Sequence, residues 1–312
     1  MSSITYALIP VFSVIMVGFL LRTSQLIADE EWTGINHLCY YLLLPVLIIK
    51  SLSTADLSAA PVFRIAGAMM LATLCLSALL FAARVPLLKL LGLSNASYTS
   101  LFQGSTRWHG FIALAIIAAL YGDKGVIIGS IGLATLIPLL NLINITVLSL
   151  YGDSNSSNSP SLLRQLSQNP FIIACGIGIF LNILPVQMPE TFVNTLDLIG
   201  RAALGISLLT VGAALKPRLN IDDLRAVLSS AVIRLFAMPF FMIFSCLALG
   251  VTGDPLVIAV ICAAVPTAAS GYILAKQMGG DAELMASIIT FQVLAAVVTL
   301  PLVLSYATSF AS

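Results

Sequence analysis

Charge is what this sequence has least of: 14 Lys and Arg with 13 Asp and Glu amount to 9% of 312 residues. A water-soluble domain averages about 25% charged residues, so a chain this poor in charge cannot cover a water-facing surface. With 59% hydrophobic residues and a mean hydropathy of +1.06, its solvent is lipid. It has no basic run to neutralise phosphates and a net charge of only +1, so nucleic acid is not an expected partner. Cys39, Cys75, Cys175, Cys246 and Cys262 all stand in apolar runs without CxxC spacing. They read as small packed side chains, and neither a metal nor a cofactor is expected. Histidine is scarce too: His37 and His109 lie far apart, with no HExxH, no paired intramembrane Asp and no nucleophile motif. An enzyme such as an intramembrane hydrolase would lack its machinery.

What the chain does have is a succession of apolar runs. The first, Ile4 to Leu21, holds no charge and spans about 27 Å as a helix, close to the roughly 30 Å hydrocarbon core. It is longer than a cleaved signal core and no Lys or Arg precedes it, so it reads as a retained first helix. Windows bounded by charge, Gly and Pro predict ten transmembrane helices, near 4–21, 33–52, 63–83, 95–121, 125–151, 169–184, 191–215, 227–250, 255–277 and 283–308. The clearly hydrophilic stretch, Tyr151 to Gln168, is rich in Ser, Asn and Pro and reads as a flexible linker.

The two sides of that linker align weakly. Pro10 and Gly18 fall on Pro170 and Gly178 at an offset of 160, as do Glu30 on Glu190, Trp32 on Phe192 and Leu44 on Leu204; Gly122-Asp123 falls on Gly280-Asp281 at 158. The expected organisation is therefore a first five-helix repeat over 1–151, a cytoplasmic linker over 152–168 and a second five-helix repeat over 169–312. Five is odd, so the second repeat starts on the opposite side of the membrane: the fold expected is an all-α membrane protein of two inverted repeats. Arg22, Arg84, Lys89, Arg164, Lys216, Arg218, Arg225 and Lys276 lie in loops on one side, against Lys50, Arg64 and Lys124 on the other. That bias puts the linker in the cytoplasm of an inner-membrane protein and both termini outside.

Chemistry in such a fold is expected where helices are broken near the midplane, because unwound backbone offers free N–H and C=O groups. The fourth span carries Gln103-Gly104-Ser105-Thr106-Arg107-Trp108-His109-Gly110 deep in an apolar segment. Its counterpart, the ninth, carries Val265-Pro266-Thr267-Ala268-Ala269-Ser270-Gly271, and the 158 offset sets Trp108 on Pro266. An Arg near a helix centre costs about 2.5–3.5 kcal/mol on insertion scales and persists where it faces a polar cavity or a partner. Helix N-termini add partial positive charge, so both features favour an anion. No predicted span has Asp or Glu near its centre, which disfavours a cationic substrate. Arg107 and His109 also admit a purely structural reading, as does Trp108 as a space filler. Asn141 and Asn144 stand equally as ligand contacts or ties between helices. His37 reads as structural, while Lys50, Lys276, Arg201 and Arg234 read as anchors reaching the headgroups.

At these motifs the sequence resembles the auxin efflux carrier family, whose bacterial members are often labelled malonate or malate transporters. The likeness lies in Pro10-Val11-Phe12 with Gly18-Phe19-Leu20-Leu21-Arg22, in Asn36-His37-Leu38 with Tyr41 and Leu44-Pro45, in Phe102 through Phe111-Ile112 to Tyr121-Gly122-Asp123, and in Pro266-Thr267 through Tyr272 and Lys276 to Gly279-Gly280-Asp281. The resemblance implies ten helices with helices 4 and 9 broken and crossing, as in bile-acid symporters. It also implies an elevator-like movement of helices 3–5 and 8–10 past a scaffold of helices 1, 2, 6 and 7, and a homodimer formed through that scaffold. The chain departs from the family at Trp108-His109-Gly110, where relatives commonly carry Asn-Thr, at Ser270, where Asn is frequent, and at Gly205, where Pro is common. The expected function is secondary transport of a small organic anion, a mono- or dicarboxylate. Arg107, Trp108, His109, Gly110, Asn141, Pro266, Thr267 and Ser270 are the expected binding residues, with His109 as the proton-coupling group. A passive channel and a transporter-like sensor are the alternatives.

Overall fold

The computed structural model describes residues 2–55, 62–153, 167–184, 188–216 and 223–310, and all its described elements are helices. Most of the predicted linker, with Arg164, lies outside these residues, as does Arg218. The described residues form twelve helices: α1 (Ser2–Thr23), α2 (Asp29–Ser53), α3 (Val62–Ala82), α4 (Arg84–Leu91), α5 (Asn95–Thr106), α6 (Gly110–Tyr151), α7 (Pro170–Ile183), α8 (Glu190–Ala213), α9 (Leu224–Ala248), α10 (Gly253–Ala264), α11 (Ser270–Met278) and α12 (Ala282–Thr308). Seven described segments are long and apolar enough to cross a bilayer, among them the 57-residue run Asn95–Tyr151; α7 and α10 are shorter apolar helices.

Local sequence explains the irregularities. Asp29, Glu30 and Glu31 crowd the first turn of α2, where the helix dipole favours anions, and the Glu31 carboxylate accepts the Ala28 N–H at 2.8 Å. Both α2 and α9 widen into a π-helical turn, at Cys39–Leu43 and Ile233–Ala237, just before Pro45 and Pro239. A proline ring clashes with the carbonyl four residues earlier, and the wider turn relieves that clash. α6 bends at Gly122 (φ 59°, ψ −152°), a conformation open to glycine, dividing it into limbs 110–121 and 123–151. The short helix α4, ended by Gly92 in the left-handed region, has no counterpart among the predicted spans.

The expected interruptions are present. α5 ends at Thr106, Arg107 is extended (φ −66°, ψ 152°), and α6 starts at Gly110. α10 ends at Ala264, Val265 is extended (φ −66°, ψ 151°), and α11 starts at Ser270. The two breaks touch: the His109 N–H donates to the Pro266 carbonyl at 2.9 Å.

Packing sorts the helices into two sets. α1 lies along α8, and α2 lies against α7 and α8; α3 lies against α9, and α10 against α6, α9 and α12. The closest approaches in the first set are backbone to backbone: a Cβ on Gly18 or Gly212 would collide with the carbonyl of Leu209 or Ile15. Gly178 and Gly200 meet α2 at Ile49, Leu52 and Leu47, while Gly104, Gly129, Gly132 and Gly271 join members of α3–α6 and α9–α12. Wherever an added Cβ on a described glycine would meet its nearest atoms, those atoms belong to its own set, while between the sets α6 packs against α1, α2, α7 and α8, and α12 against α1.

Candidate functional site

A cavity of about 540 Å³ opens against the two breaks. Arg107, Trp108, His109 and Gly110 line it from the first break, Ala268, Ala269 and Ser270 from the second, and Asn141 from the far limb of α6. Its opposite wall comes from the other helix set: Asn36, His37, Tyr40, Tyr41 and Leu44 of α2, with Asn169 and Phe171 at the start of α7. Four of the five α2 residues, Asn36 to Tyr41, lie between its start and its midpoint, and α7 begins just after the linker, so the cavity faces the linker end of the molecule. At that same end the Asp153 N–H, closing α6, donates to the Gly279 carbonyl at 2.8 Å.

Arg107 is the organising group. It is 7% exposed, and its guanidinium reaches Gln103 Oε1 at 3.2 Å, Asn141 Oδ1 at 3.3 Å and Ser270 Oγ at 3.4 Å. All three acceptors are neutral and the bonds are long; among the described residues no carboxylate pairs with it. A desolvated cation held only by long neutral contacts retains attraction for an anion. Beside it, His109 is 5% exposed with an Nδ1 that has no hydrogen-bond partner among the described residues. α6 starts after His109 with no side-chain cap, and α11 starts after Ala269 likewise, so two helix N-termini lie at the cavity. Apart from Gln277, the remaining lining is apolar and aromatic, with Trp108, Phe111 and Phe171 prominent.

Six of the eight expected binding residues thus come together on one cavity. Pro266 and Thr267 do not line it. Pro266 serves the crossing through its carbonyl; Thr267 is fully buried, donates its hydroxyl to the Gln103 carbonyl at 3.4 Å and donates its N–H to Gln292 Oε1 at 2.9 Å. Asn144 ties helices, accepting the Thr106 hydroxyl at 3.2 Å. His37, expected to be structural, stands on the cavity wall edge-on to Tyr41.

Two of the expected anchors need correction. Arg234 is 1% exposed and reaches no headgroup: it donates to the carbonyls of Val265, Cys262 and Thr106 at 2.9, 2.9 and 3.3 Å. Lys50, its side chain 14% exposed, bonds to Asp123 at 2.8 Å and to Asp197 at 3.2 Å rather than to solvent. Arg201 has the outward side chain expected, 79% exposed and paired with Asp197. Gln292, which sequence reading passed over, donates to Gly104 O at 3.0 Å and Ser230 Oγ at 3.1 Å; a lone amide in an apolar span was its one signal.

The family model described as "Membrane transport protein" matches residues 3–304. An uncharacterized transporter, YfdV of Escherichia coli K12, is 22% identical over 312 residues, covering 95% of both chains. Auxin efflux carrier component 7 of Arabidopsis thaliana is 26% identical over 149 residues, 46% of this chain and 24% of its own. The probable auxin efflux carrier component 5a of rice is 27% identical over 149 residues, 46% of this chain and 40% of its own. The chain is a multi-pass membrane protein and belongs to the membrane transport protein family that includes the auxin efflux carriers.

Proposed function

We propose that the chain is a secondary transporter of a small organic anion, a mono- or dicarboxylate, bound between the two helix breaks. One observation carries this reading: Arg107 is buried against a cavity of about 540 Å³ with no acidic partner among the described residues. A carboxylate there would accept from the guanidinium and from N–H groups at the starts of α6 and α11, with Asn141 and Ser270 completing its hydrogen bonds. The apolar wall would take the body of the ligand. His109 is the group proposed to link transport to protons, because a bound carboxylate would give its imidazole a counter-charge. His37, Tyr40 and Tyr41 are the other titratable side chains on the cavity.

The proposed architecture is ten spans in two inverted repeats, with α5–α6 and α10–α11 as the broken fourth and ninth helices. In its favour, α5 and α10 are both 12 residues long, are offset by 158, and end on residues of matching dihedral angles. Movement is proposed to be elevator-like, with α3–α6 and α9–α12 sliding past α1, α2, α7 and α8. The segregation of close packing within each set supports two rigid bodies, and the cavity between them is where such a carrier binds. The proposed placement is the inner membrane with the linker cytoplasmic and both termini outside, as a homodimer through the α1, α2, α7 and α8 set.

The test is uptake into proteoliposomes of labelled carboxylates, amino acids and indole acids, with counterflow to separate a carrier from a channel or sensor. Carboxylate counterflow that a pH gradient accelerates is expected; uptake indifferent to the gradient removes the proton link. Arg107→Gln should abolish carboxylate stabilisation in a thermal-shift assay, and stabilisation that survives the substitution overturns the anion reading.

A further inference from the structure

Arg234 lies outside the cavity lining, yet among the described residues it is the largest fully buried side chain. Its three donors converge on Thr106 O, in the last turn of α5, and on Cys262 O and Val265 O, at the end of α10. Both interrupted helices thus direct their C-terminal carbonyls at one guanidinium. Each helix end carries roughly half a negative charge, concentrated on carbonyls that have no partner within their own helix. In broken-helix transporters such ends attract cations. Among the described residues no carboxylate competes for Arg234.

We propose that Arg234 is the resident counter-cation of the crossing and a positioning residue for anion binding, although it never touches the ligand. This rests on the anion reading of the cavity. The crossing has an electrostatic sidedness: N-termini and Arg107 face the cavity, and C-termini face Arg234. Thr106, whose carbonyl Arg234 holds, precedes Arg107 directly, and Val265 precedes Pro266, whose carbonyl receives the His109 N–H. Without the guanidinium, two partial negative ends would stand unneutralised beside the residues that must hold an anion. Their field would pull on Arg107 and oppose the incoming carboxylate. A ligand of the same shape without charge would feel little of this.

The experiment uses the full chain in detergent and a matched ligand pair, benzoate and benzamide, alike in shape and different in charge. Trp108 is the reporter: the chain has two tryptophans, so Trp32→Phe isolates the one on the cavity. Dissociation constants for both probes are measured in this background, in Arg234→Gln and in Arg234→Lys. The expected result is benzoate binding weakened about tenfold by Arg234→Gln with benzamide binding changed less than twofold. Arg234→Lys keeps the charge, so its benzoate-to-benzamide ratio should stay within threefold of the parent. Equal weakening of both probes, or of neither, overturns the proposal. So does a folded lysine variant that loses the discrimination, which preserves the test where the glutamine variant does not fold. A parent protein that does not prefer benzoate to benzamide fails the anion reading itself, and this inference with it.

Discussion

At the scale of the residue, distance ranks the groups around Arg107. Asn141 accepts from it at 3.3 Å and is the acceptor contributed by the far limb of α6; Ser270 sits at 3.4 Å, near the limit of a useful bond. Asn141→Leu should weaken carboxylate binding about tenfold, since a bond to a charged group is worth about 1.5–3 kcal/mol at good geometry and less when long. Ser270→Ala should cost no more than about threefold by the same scale. Titration of Trp108 fluorescence with benzoate checks both, and an Asn141 variant that binds as tightly as the parent would show that Arg107 needs no orientation from α6. Arg107 was legible in the sequence because a cation between polar residues in the middle of an apolar run has few explanations. Arg234 was not: a single Arg within an apolar span reads as an anchor, and only the fold brings three carbonyls to it. The place of His37 on the cavity wall was hidden for a similar reason, because Arg107 and Asn169, which line the same cavity, are distant in sequence.

At the scale of the element, the breaks and bends follow from residues that interrupt apolar runs, and all of these left a mark in the sequence. The offset of 158 that matched Gly122 with Gly280 also matches α5 with α10, residue for residue. The π-helical turns escaped although Pro45 and Pro239 follow them, because Pro10, Pro138 and Pro301 also stand inside α1, α6 and α12, so a proline in an apolar run does not by itself announce a widened turn. α4 escaped because eight residues are too few to register as a span. Helix contacts make a sharper prediction. A side chain on Gly212 would meet the Ile15 backbone, so Gly212→Val must part α1 from α8. It should lower the melting temperature by 10 °C or so, or prevent accumulation of folded protein, as overpacking of about 1–3 kcal/mol or more does. Gly34→Ala, where nothing lies within 4 Å, should melt within about 2 °C of the parent, matching the small effects of surface substitutions. Thermal melts of the two variants side by side supply the check.

Across the whole molecule, the two helix sets meet with few polar contacts, and one ion pair among the described residues joins them: Lys50 of α2 with Asp123 at the bend of α6. The same lysine holds Asp197 of α8, within its own set. The pair stands near the C-terminal end of α2, beyond the residues Asn36 to Leu44 that line the cavity, so it joins the two sets at the end away from the cavity mouth. Asp123 is 85% exposed, which limits the pair to about 0.2–1 kcal/mol, a bias between conformations of about 1.4- to fivefold. Asp123→Asn should therefore slow modification of a cysteine placed at Ala268 by a maleimide applied from the linker side, by that same factor. An unchanged rate would mean that the pair sets no preference between conformations.

Arg107 and Arg234 belong to the same set of helices, and neither faces a carboxylate among the described residues. If that set travels through the membrane, it carries fixed positive charge with it. Each elementary charge moved through 100 mV is worth about 2.3 kcal/mol, so voltage acts on the carrier and not only on its cargo. A bound monoanion cancels part of that charge. The empty carrier is then the more voltage-sensitive form, and the membrane potential governs how fast it resets between cycles.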